Sequence, residues 1–196
     1  MARRRVGILI SGRGSNMRAL IEAAKAPNYP ADIVHVISNE PDAAGLEFAR
    51  SHGIAIAIVN HRDFTSRDAF GNALDQAMQA SKVEIVCLAG FMRMLANSFV
   101  ERWKGRLINI HPSLLPAFKG LDTHARAIAA GEKTHGCTAH FVVPELDSGP
   151  VILQAEVPVL SGDDEQSLAA RVLAEEHRIY PEALRLVAEG RVKFGD

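Results

Sequence analysis

Short runs of consecutive apolar residues alternate along the chain with segments in which apolar residues recur every three or four positions. A short continuous apolar run is typical of a strand buried on both faces, whereas the wider spacing is typical of an amphipathic helix. In the first such helix, Met17, Leu20 and Ile21 share one face, and Pro27 ends it. The pattern predicts strands over residues 6–10, 33–37, 54–59, 84–89 and 106–110, with helices between them, the second of which covers 43–52.

The alternation of strands and helices predicts a doubly wound α/β fold, because parallel strands need crossover helices that then cover both faces of the sheet. After Pro112 the pattern changes. Apolar runs over 136–143 and 151–159 are separated only by a short turn, which predicts an antiparallel pair at the end of a mixed sheet. We therefore expect one three-layer domain over residues 1–196, with about seven strands that are mostly parallel and antiparallel at the C-terminal end.

Two helix starts carry capping signals. Thr65, with Asp68 three residues later, is a plausible cap for the third helix. Asp163, with Gln166 three residues later, is predicted to cap the last helix. Pro181 lacks a backbone N–H, so it is expected to interrupt that last helix.

Composition excludes several classes of function. The 196-residue chain is 47% hydrophobic and has 22 basic against 23 acidic residues, which disfavours sequence-independent binding of nucleic acid. Cys87 and Cys137 lie in apolar runs, so buried free thiols are favoured over a disulfide. The first apolar run is too short for a secretory signal, and no segment approaches the roughly twenty apolar residues of a membrane span. A soluble, cytoplasmic chain without a membrane or nucleic-acid partner is therefore predicted.

The turn after the first strand, residues 11–16, has the parts of an anion site and is called the first turn below. Gly12 and Gly14 allow unusual backbone angles, and the N-terminus of the following helix presents free N–H groups. No Walker lysine follows, and Met17 stands where a dinucleotide fingerprint needs its third glycine. The turn therefore favours a single phosphate group. A tight glycine turn with a serine cap and no ligand is the alternative.

Asn109 and His111 end the fifth predicted strand and share one of its faces. The carboxyl ends of strands in open α/β sheets face the ligand crevice, so an amide and an imidazole are expected there side by side. Such a pair can donate to a developing oxyanion and move a proton near neutral pH. Asp147, in the turn before the last strand, would orient His111 and favour its charged form if the two lie close together. Ordinary strand-end and turn hydrogen bonds are the alternative for all three residues.

Four histidines, His111, His124, His135 and His140, suggest a metal site at first sight. However, His135 and Cys137 fall on one face of a predicted strand and His140 on the other, so these three do not converge. The sequence contains neither paired cysteines at metal-binding spacing nor a His-Glu-x-x-His motif. We therefore expect no metal.

Six segments resemble, in order and over essentially the whole chain, the phosphoribosylglycinamide formyltransferase family. The Asn109 to Pro116 segment is shared by all transferases and hydrolases that use formyl-tetrahydrofolate, whereas the first and last segments are more specific to this family. The six segments are 11–16, 89–93, 109–116, 135–136, 145–150 and 176–181.

The resemblance implies a formyltransferase fold and a reaction of de novo purine biosynthesis. In that reaction the formyl group of 10-formyltetrahydrofolate, a co-substrate, moves to the amine of glycinamide ribonucleotide. Asn109 and His111 would stabilise the oxyanion, and Asp147 would assist the proton relay. The N-terminal half, about 1–105, would bind the phosphate, and the C-terminal half, about 106–196, would bind folate and carry the catalysis. The chain would be a monomer or a homodimer.

The resemblance also implies contacts residue by residue. Residues 119–135 would form a mobile loop near the site, and His140 and Thr138 would support the catalytic residues. Ser148 departs from the family pattern, in which glycine is common at this position. The phosphate and ribose contacts would be Gly12, Arg13, Gly14, Ser15, Asn16 and Glu176. The folate contacts would be Arg67, Phe91, Met92, Arg93, Leu95, Asn109, Val142, Val143 and Asp147.

Three other functions stay open at this point. A methionyl-tRNA formyltransferase would be expected to carry an additional C-terminal domain and a basic surface, and this chain has a net charge of -1. A formyl-tetrahydrofolate hydrolase would be expected to carry an N-terminal regulatory domain, yet the first strand here is predicted from Val6. A nucleotide-binding regulatory module would keep the first turn but would not need Asn109, His111 and Asp147 together.

Overall fold

The computed structural model describes residues 2–195, which form one seven-stranded sheet flanked by six α-helices. A short 3-10 helix also spans His61–Asp63. The strands are β1 (Arg4–Ile10), β2 (Ala31–Ser38), β3 (Ala55–Ile58), β4 (Ile85–Leu88), β5 (Leu107–His111), β6 (Thr134–Phe141) and β7 (Val151–Pro158). The helices are α1 (Ser15–Ala24), α2 (Gly45–Ser51), α3 (Arg67–Ala80), α4 (Asn97–Arg102), α5 (Thr123–Ala129) and α6 (Glu165–Ala188).

The strand order is β3-β2-β1-β4-β5-β6-β7. The first five strands pair in parallel, while β6 pairs antiparallel with both β5 and β7. This mixed sheet confirms the predicted fold class. After β3 the chain enters the sheet again on the other side of β1, so β1 and β4 form a topological switch point. In open α/β sheets, the ligand crevice lies at the carboxyl ends of the strands at such a point.

Two apolar clusters cover the two faces of the sheet. Val6, Ile8 and Ile10 of β1 belong to the cluster that includes α1, α2 and α6. Leu9, which points the opposite way, belongs to the cluster that includes α3 and α4. Burial on both faces explains why β1 reads as a continuous apolar run rather than an alternating one.

The start of α3 differs from the prediction by one residue. Ser66, not Thr65, is the N-cap, and its side chain accepts a hydrogen bond from the Ala69 N–H at 3.1 Å. Helices α4 and α5 are not predicted by the sequence pattern. They have only six and seven residues, which is too few for a helical period of apolar residues to be recognised.

The start of α6 also lies one residue beyond the prediction. Asp164 forms a reciprocal capping box with Ser167, with hydrogen bonds of 2.8 and 3.0 Å. Asp163, the predicted cap, instead pairs with Arg171 at 2.8 Å, and this contact holds the pKa of the carboxyl well below its usual range.

Pro181 lies inside a continuous α6, so the predicted interruption of this helix is wrong. A proline removes one helical hydrogen bond, but packing around it can compensate. The Tyr29 hydroxyl donates to the Pro181 carbonyl oxygen at 2.7 Å, and the adjacent Tyr180 hydroxyl donates to the Leu88 carbonyl oxygen at 2.8 Å. Both contacts hold α6 against other parts of the core.

Cys87 and Cys137 are buried free thiols, as predicted, and burial raises the pKa of each to about 12. A thiol in this state is a poor nucleophile. Among residues 2–195, no helix is long and apolar enough to span a lipid bilayer.

Candidate active site

The first turn lies at the switch point, where the exits of β1 and β4 are joined by a hydrogen bond of 3.1 Å from the Ser11 N–H to the Gly90 carbonyl oxygen. Gly14 has a left-handed conformation, with φ of 67°, and forms the N-cap of α1 without a side-chain hydrogen bond. The predicted alternative of a serine cap is therefore absent from this turn. The N–H groups at the start of α1 stay available to an anion.

The two glycines of the first turn have different roles. A Cβ atom on Gly14 would lie 3.0 Å from Met17 Cε and 3.4 Å from Gly45 Cα, in addition to the left-handed strain. A Cβ atom on Gly12 would have no heavy atom within 4 Å, and Gly12 does not have a positive φ. The backbone therefore requires glycine only at position 14. Gly45, which the sequence pattern did not single out, packs closely on the first turn, because its Cβ would lie 3.1 Å from the Gly12 carbonyl oxygen and 3.3 Å from the Arg13 carbonyl oxygen.

Asn16 and Glu176 meet beside the first turn, although they are far apart in sequence. Asn16 Nδ2 donates to Glu176 Oε2 at 2.6 Å, and both residues are buried. Burial raises the pKa of the Glu176 carboxyl, and the hydrogen bond from Asn16 opposes this effect. Asn16 Oδ1 is buried and has no hydrogen-bond partner. A carboxylate and an amide oxygen are thus placed where hydroxyl or ammonium donors could bind.

The structure brings His111 and Asp147 together. His111 Nδ1 lies 3.5 Å from Asp147 Oδ2, and both side chains are at most 9% exposed. Asp147 has a left-handed conformation, with φ of 46°. The turn that carries it closes tightly because residue 149 is glycine, whose Cβ position would lie only 1.8 Å from the Phe141 carbonyl oxygen. The turn therefore requires glycine at position 149, and it accommodates Ser148, whose hydroxyl donates to the Leu146 carbonyl oxygen at 2.9 Å.

Asn109 joins the same cluster through His140. The two residues pair directly across β5 and β6, and Asn109 Nδ2 lies 3.3 Å from His140 Nε2. His140 Nδ1 donates to the Phe141 carbonyl oxygen at 2.8 Å, and burial lowers the pKa of the ring. Nε2 of the neutral ring is then an acceptor for one Asn109 amide hydrogen. The second amide hydrogen of Asn109 remains free to donate to a ligand.

His140 Nε2 also lies 3.9 Å from Asp147 Oδ1, so four side chains form one cluster. We refer to Asn109, His111 and Asp147 as the trio and to His140 as its buried neighbour. Sequence periodicity placed Asn109 and His111 on one strand face, and the pairing of β5 with β6 agrees with this. Only the fold brings Asp147 and His140 to them.

The segment after β5 lies over the trio. His111 Nε2 donates to the Phe118 carbonyl oxygen at 3.0 Å, and the Gly120 N–H donates to Asp147 Oδ2 at 2.9 Å. The predicted loop over 119–135 contains helix α5, and its mobility stays a prediction. A ligand that needs His111 Nε2 has to displace or share the Phe118 contact.

Thr138 pairs with His111 across β5 and β6, and its side chain holds the chain that follows the trio. Its hydroxyl accepts from the Leu115 N–H at 3.0 Å and donates to the Ser113 carbonyl oxygen at 2.7 Å. Gln154 of β7 donates to the same hydroxyl and to the Leu115 carbonyl oxygen, both at 2.9 Å. Gln154 has no motif that could have identified it from the sequence, because its partners come from a different strand and a loop.

The exit of β4, residues 91–95, forms one wall of the crevice and is called the β4 exit segment below. The Phe91 ring stacks on Phe70 with a centroid distance of 6.3 Å, and Leu95 is buried. Met92 is 65% exposed, and Arg93 is also exposed.

The other predicted folate residues, and Arg13 of the predicted phosphate site, lie outside the β4 exit segment. Arg67 is exposed at the start of α3, while Val142 and Val143 are partly buried just after β6. Arg13 is exposed in the first turn, next to the partly buried Ser15. Along the chain, these residues therefore follow β1, β3 and β6.

Two further histidines lie outside the cluster of four side chains. The His124 and His135 rings contact each other edge to face at 5.3 Å, and burial lowers the pKa of His135 to about 4. Within residues 2–195, no three histidine, cysteine or acidic side chains are grouped in a way that could hold a metal ion.

Comparisons with known proteins identify the family. Residues 4–184 match the formyl transferase family. The chain is 48% identical to the phosphoribosylglycinamide formyltransferase of Escherichia coli, over 95% of this chain and 88% of that enzyme. The crystal structure of phosphoribosylglycinamide formyltransferase from Brucella melitensis is 51% identical, with a TM-score of 0.92, over 98% of this chain and all of that one. The chain is also 48% identical to the Bos taurus trifunctional purine biosynthetic protein adenosine-3, of whose length it spans only 19%. The chain therefore belongs to the formyl transferase family, in its phosphoribosylglycinamide formyltransferase group.

Proposed function

We propose that this chain transfers the formyl group of 10-formyltetrahydrofolate to the amine of glycinamide ribonucleotide, giving N-formylglycinamide ribonucleotide in purine biosynthesis. The observation that carries the proposal is the buried cluster of Asn109, His111, Asp147 and His140 beside a phosphate-type turn. A family member with this cluster has donors for an oxyanion and a group to move a proton.

The first turn is proposed to anchor the phosphate of the ribonucleotide. The open N-terminus of α1 supplies N–H donors and a positive dipole end, and Gly14 lets the backbone turn in the required conformation. Glu176 is proposed to accept from the ribose hydroxyls, because its buried carboxyl lies next to the turn. The unpartnered Asn16 Oδ1 offers a further acceptor at the same place.

The trio is proposed to act on the formyl group. The amine nitrogen of the ribonucleotide attacks the formyl carbon, whose carbonyl oxygen becomes an oxyanion. Asn109 donates its free amide hydrogen to this oxygen, and His111 donates from Nε2 once the Phe118 carbonyl oxygen is displaced. Donors of this kind typically contribute about 100- to 1,000-fold in rate each.

Formyl transfer also requires that the amine lose a proton and that N10 of the folate leave. A proton leaves the attacking amine, and Asp147 helps to carry it toward N10 of the folate while the bond from N10 to the formyl carbon breaks. Asp147 suits this role because it lies 3.5 Å from His111 and is nearly buried. No covalent enzyme intermediate is needed, and the two buried thiols have pKa values near 12 that make them poor nucleophiles.

The folate is proposed to lie between the β4 exit segment and the β6–β7 turn. Phe91, Met92 and Leu95 offer apolar surface on one side, and Val142 and Val143 offer it on the other. Arg67 and Arg93 are exposed cations that suit an acidic tail of the folate. The N-terminal half of the chain would then hold mainly the nucleotide, and the C-terminal half the chemistry.

The test is release of tetrahydrofolate from the formyl donor, followed by absorbance, with and without glycinamide ribonucleotide. Release that requires the ribonucleotide is the expected result. A matched acceptor that lacks the phosphate should react only at much higher concentration, because it cannot use the first turn. Release without any acceptor would instead identify a hydrolase. Equal release with any amine acceptor and any formyl donor would contradict the proposal.

A further inference from the structure

The Ser11 hydroxyl connects the first turn with the β4 exit segment. It accepts a hydrogen bond from the Met92 N–H of the β4 exit segment at 2.8 Å and donates to Asn39 Oδ1 at 2.5 Å. We propose that Ser11 and Asn39 are positioning residues that fix the β4 exit segment against the first turn. The inference rests on the proposed function, in which the first turn binds the ribonucleotide and the β4 exit segment binds the folate.

Asn39 is a rigid support for the Ser11 hydroxyl. It follows β2 directly, is 1% exposed, and its N–H donates to the Ile10 carbonyl oxygen at 3.4 Å. Its side-chain nitrogen lies 3.3 Å from Glu40 Oε1 and 3.2 Å from His61 Nδ1. The Asn39 side chain therefore contacts residues that follow β1, β2 and β3.

The orientation of the Asn39 amide follows from its partners. The Ser11 oxygen already accepts from the Met92 N–H, so the Ser11 proton needs an acceptor, and Asn39 Oδ1 provides it. A flipped amide would place two donors at the Ser11 oxygen and would turn Oδ1 toward the Glu40 carboxylate. The two hydrogen bonds therefore have one direction: the Met92 N–H donates to Ser11, and Ser11 donates to Asn39. We call this pair of hydrogen bonds the relay.

Met92 is a point where the β4 exit segment needs such a support. The segment is anchored before it by the Phe91 ring on Phe70 and after it by the buried Leu95. The Met92 and Met94 side chains are 65% and 49% exposed and contribute little packing. The Ser11 hydroxyl thus fixes the middle of the β4 exit segment, where the exposed Met92 and Met94 side chains do not anchor it.

Neither positioning residue needs to touch a reacting atom to affect the rate. The phosphate bound by the first turn and the folate bound by the β4 exit segment must bring an amine nitrogen and a formyl carbon together. A misplacement of about 1 Å between them can cost about 100-fold in rate. Loss of the relay should therefore lower kcat more than it weakens the binding of either substrate.

The experiment compares Ser11→Ala, Asn39→Ala and the double variant with wild type and with Ser38→Ala. Ser38 is a matched control, because its buried hydroxyl also makes two hydrogen bonds at the exit of β2, both to the backbone of Glu40. That control should keep kcat within about twofold and should share any general loss of thermal stability.

We expect Ser11→Ala and Asn39→Ala each to lower kcat about 10- to 100-fold, with each KM changed by about threefold or less. The double variant should lose no more than the worse single variant, since either change breaks the same relay. Equal losses in Ser11→Ala and Ser38→Ala, or an unchanged kcat in Ser11→Ala, would overturn the inference.

Hydrogen–deuterium exchange provides a readout that does not depend on turnover. Exchange in peptides over 90–96 should be faster in Ser11→Ala than in wild type or Ser38→Ala, because the Met92 N–H loses its acceptor. Glycinamide ribonucleotide should slow this exchange in wild type and in Ser38→Ala but not in Ser11→Ala, and slowing in all three would contradict the coupling. An inactive wild type would count against the proposed function alone, since the exchange comparison still tests the relay.

Discussion

The first turn and the trio lie at the same edge of the sheet but are built in opposite ways. Six consecutive residues make the first turn, and its proposed ligand groups are backbone N–H donors at the start of α1. The trio comes from β5 and from a turn after β6, and its ligand groups are buried side chains that hold one another. One site therefore depends on local conformation and the other on long-range packing.

This difference predicts which changes each site tolerates. A backbone site is damaged by anything that alters the φ and ψ angles of the turn, whereas most of its side chains can vary. A buried polar cluster fails when one member changes, because the remaining groups lose their partners in a low-dielectric environment. Substitutions in the trio should thus act on kcat, and substitutions in the first turn should act on the binding of the ribonucleotide.

The largest effect is expected for Asp147→Asn. The amide keeps the shape of the side chain but cannot carry a proton or balance a charge on His111, so kcat should fall about 100- to 10,000-fold. The affinity for each substrate should change little. Steady-state kinetics, together with equilibrium binding of each substrate, measures the two effects separately.

Asp122→Asn is the matched control for that variant. Asp122 also has a left-handed backbone, with φ of 56°, and its side chain does not cap α5. Asparagine is well tolerated in this conformation, so both variants keep the backbone. Asp122→Asn should keep near-normal turnover, and near-normal turnover in Asp147→Asn would remove Asp147 from the trio.

A smaller effect, on binding rather than turnover, is expected for Gly14→Ala. The left-handed conformation costs a non-glycine residue about 1–2 kcal/mol, and the new Cβ would also crowd Met17. If the turn relaxes to relieve this strain, KM for glycinamide ribonucleotide should rise about tenfold, with KM for the folate almost unchanged.

Gly53→Ala separates strain from site geometry. Gly53 has a similar φ of 70° with open space around it, and it follows α2 far from the first turn in sequence. Both variants should lose stability, measured as the thermal midpoint, but only Gly14→Ala should raise the KM. Equal KM values for the two would show that the conformation of the first turn does not matter for binding.

The smallest effect is expected for Glu176→Gln, which tests the contact of α6 with the first turn. Burial raises the pKa of Glu176 above its unfolded value. The stability contributed by this carboxyl is therefore complete below the unfolded pKa and is lost as the pH rises through the folded pKa. At about pH 8 the glutamine variant avoids a buried carboxylate, so its thermal midpoint should be about 2–4 °C higher.

That gain should disappear as the pH falls to about 4, where the wild-type carboxyl is protonated. KM for glycinamide ribonucleotide should rise roughly fivefold, because a charge-assisted hydrogen bond becomes a neutral one. Glu175→Gln is the control, since Glu175 is ion-paired with Arg178 at the surface at 2.6 Å. A stability gain in both variants, or a gain at low pH only, would contradict the account of Glu176.

Most of the fold could be predicted from the sequence because its signals are local. The apolar run of β1, the helical spacing around Met17 and the short turn between β6 and β7 each lie within a few residues of one another. One prediction failed because packing overrode a local signal. Pro181 stays inside α6 because Tyr29 and Tyr180 hold the helix in place.

The candidate site divides in the same way. Gly14 and the open start of α1 follow from a short motif, although the backbone does not require glycine at position 12 of that motif. Asp147, His140 and Gln154 have roles that depend on partners more than ten residues away, which no local spacing reveals. Resemblance to the family, not the pattern of residues, was needed to connect Asp147 with His111.

The most direct test is the single-turnover rate of formyl transfer by the double variant Asn109→Ala and Asp147→Asn, compared with the two single variants. Each single variant should lose about 100-fold or more. If the trio acts as one unit on one carbonyl group, the double variant should lose little beyond the worse single variant. Losses that multiply would show that Asn109 and Asp147 act independently, and would contradict the account.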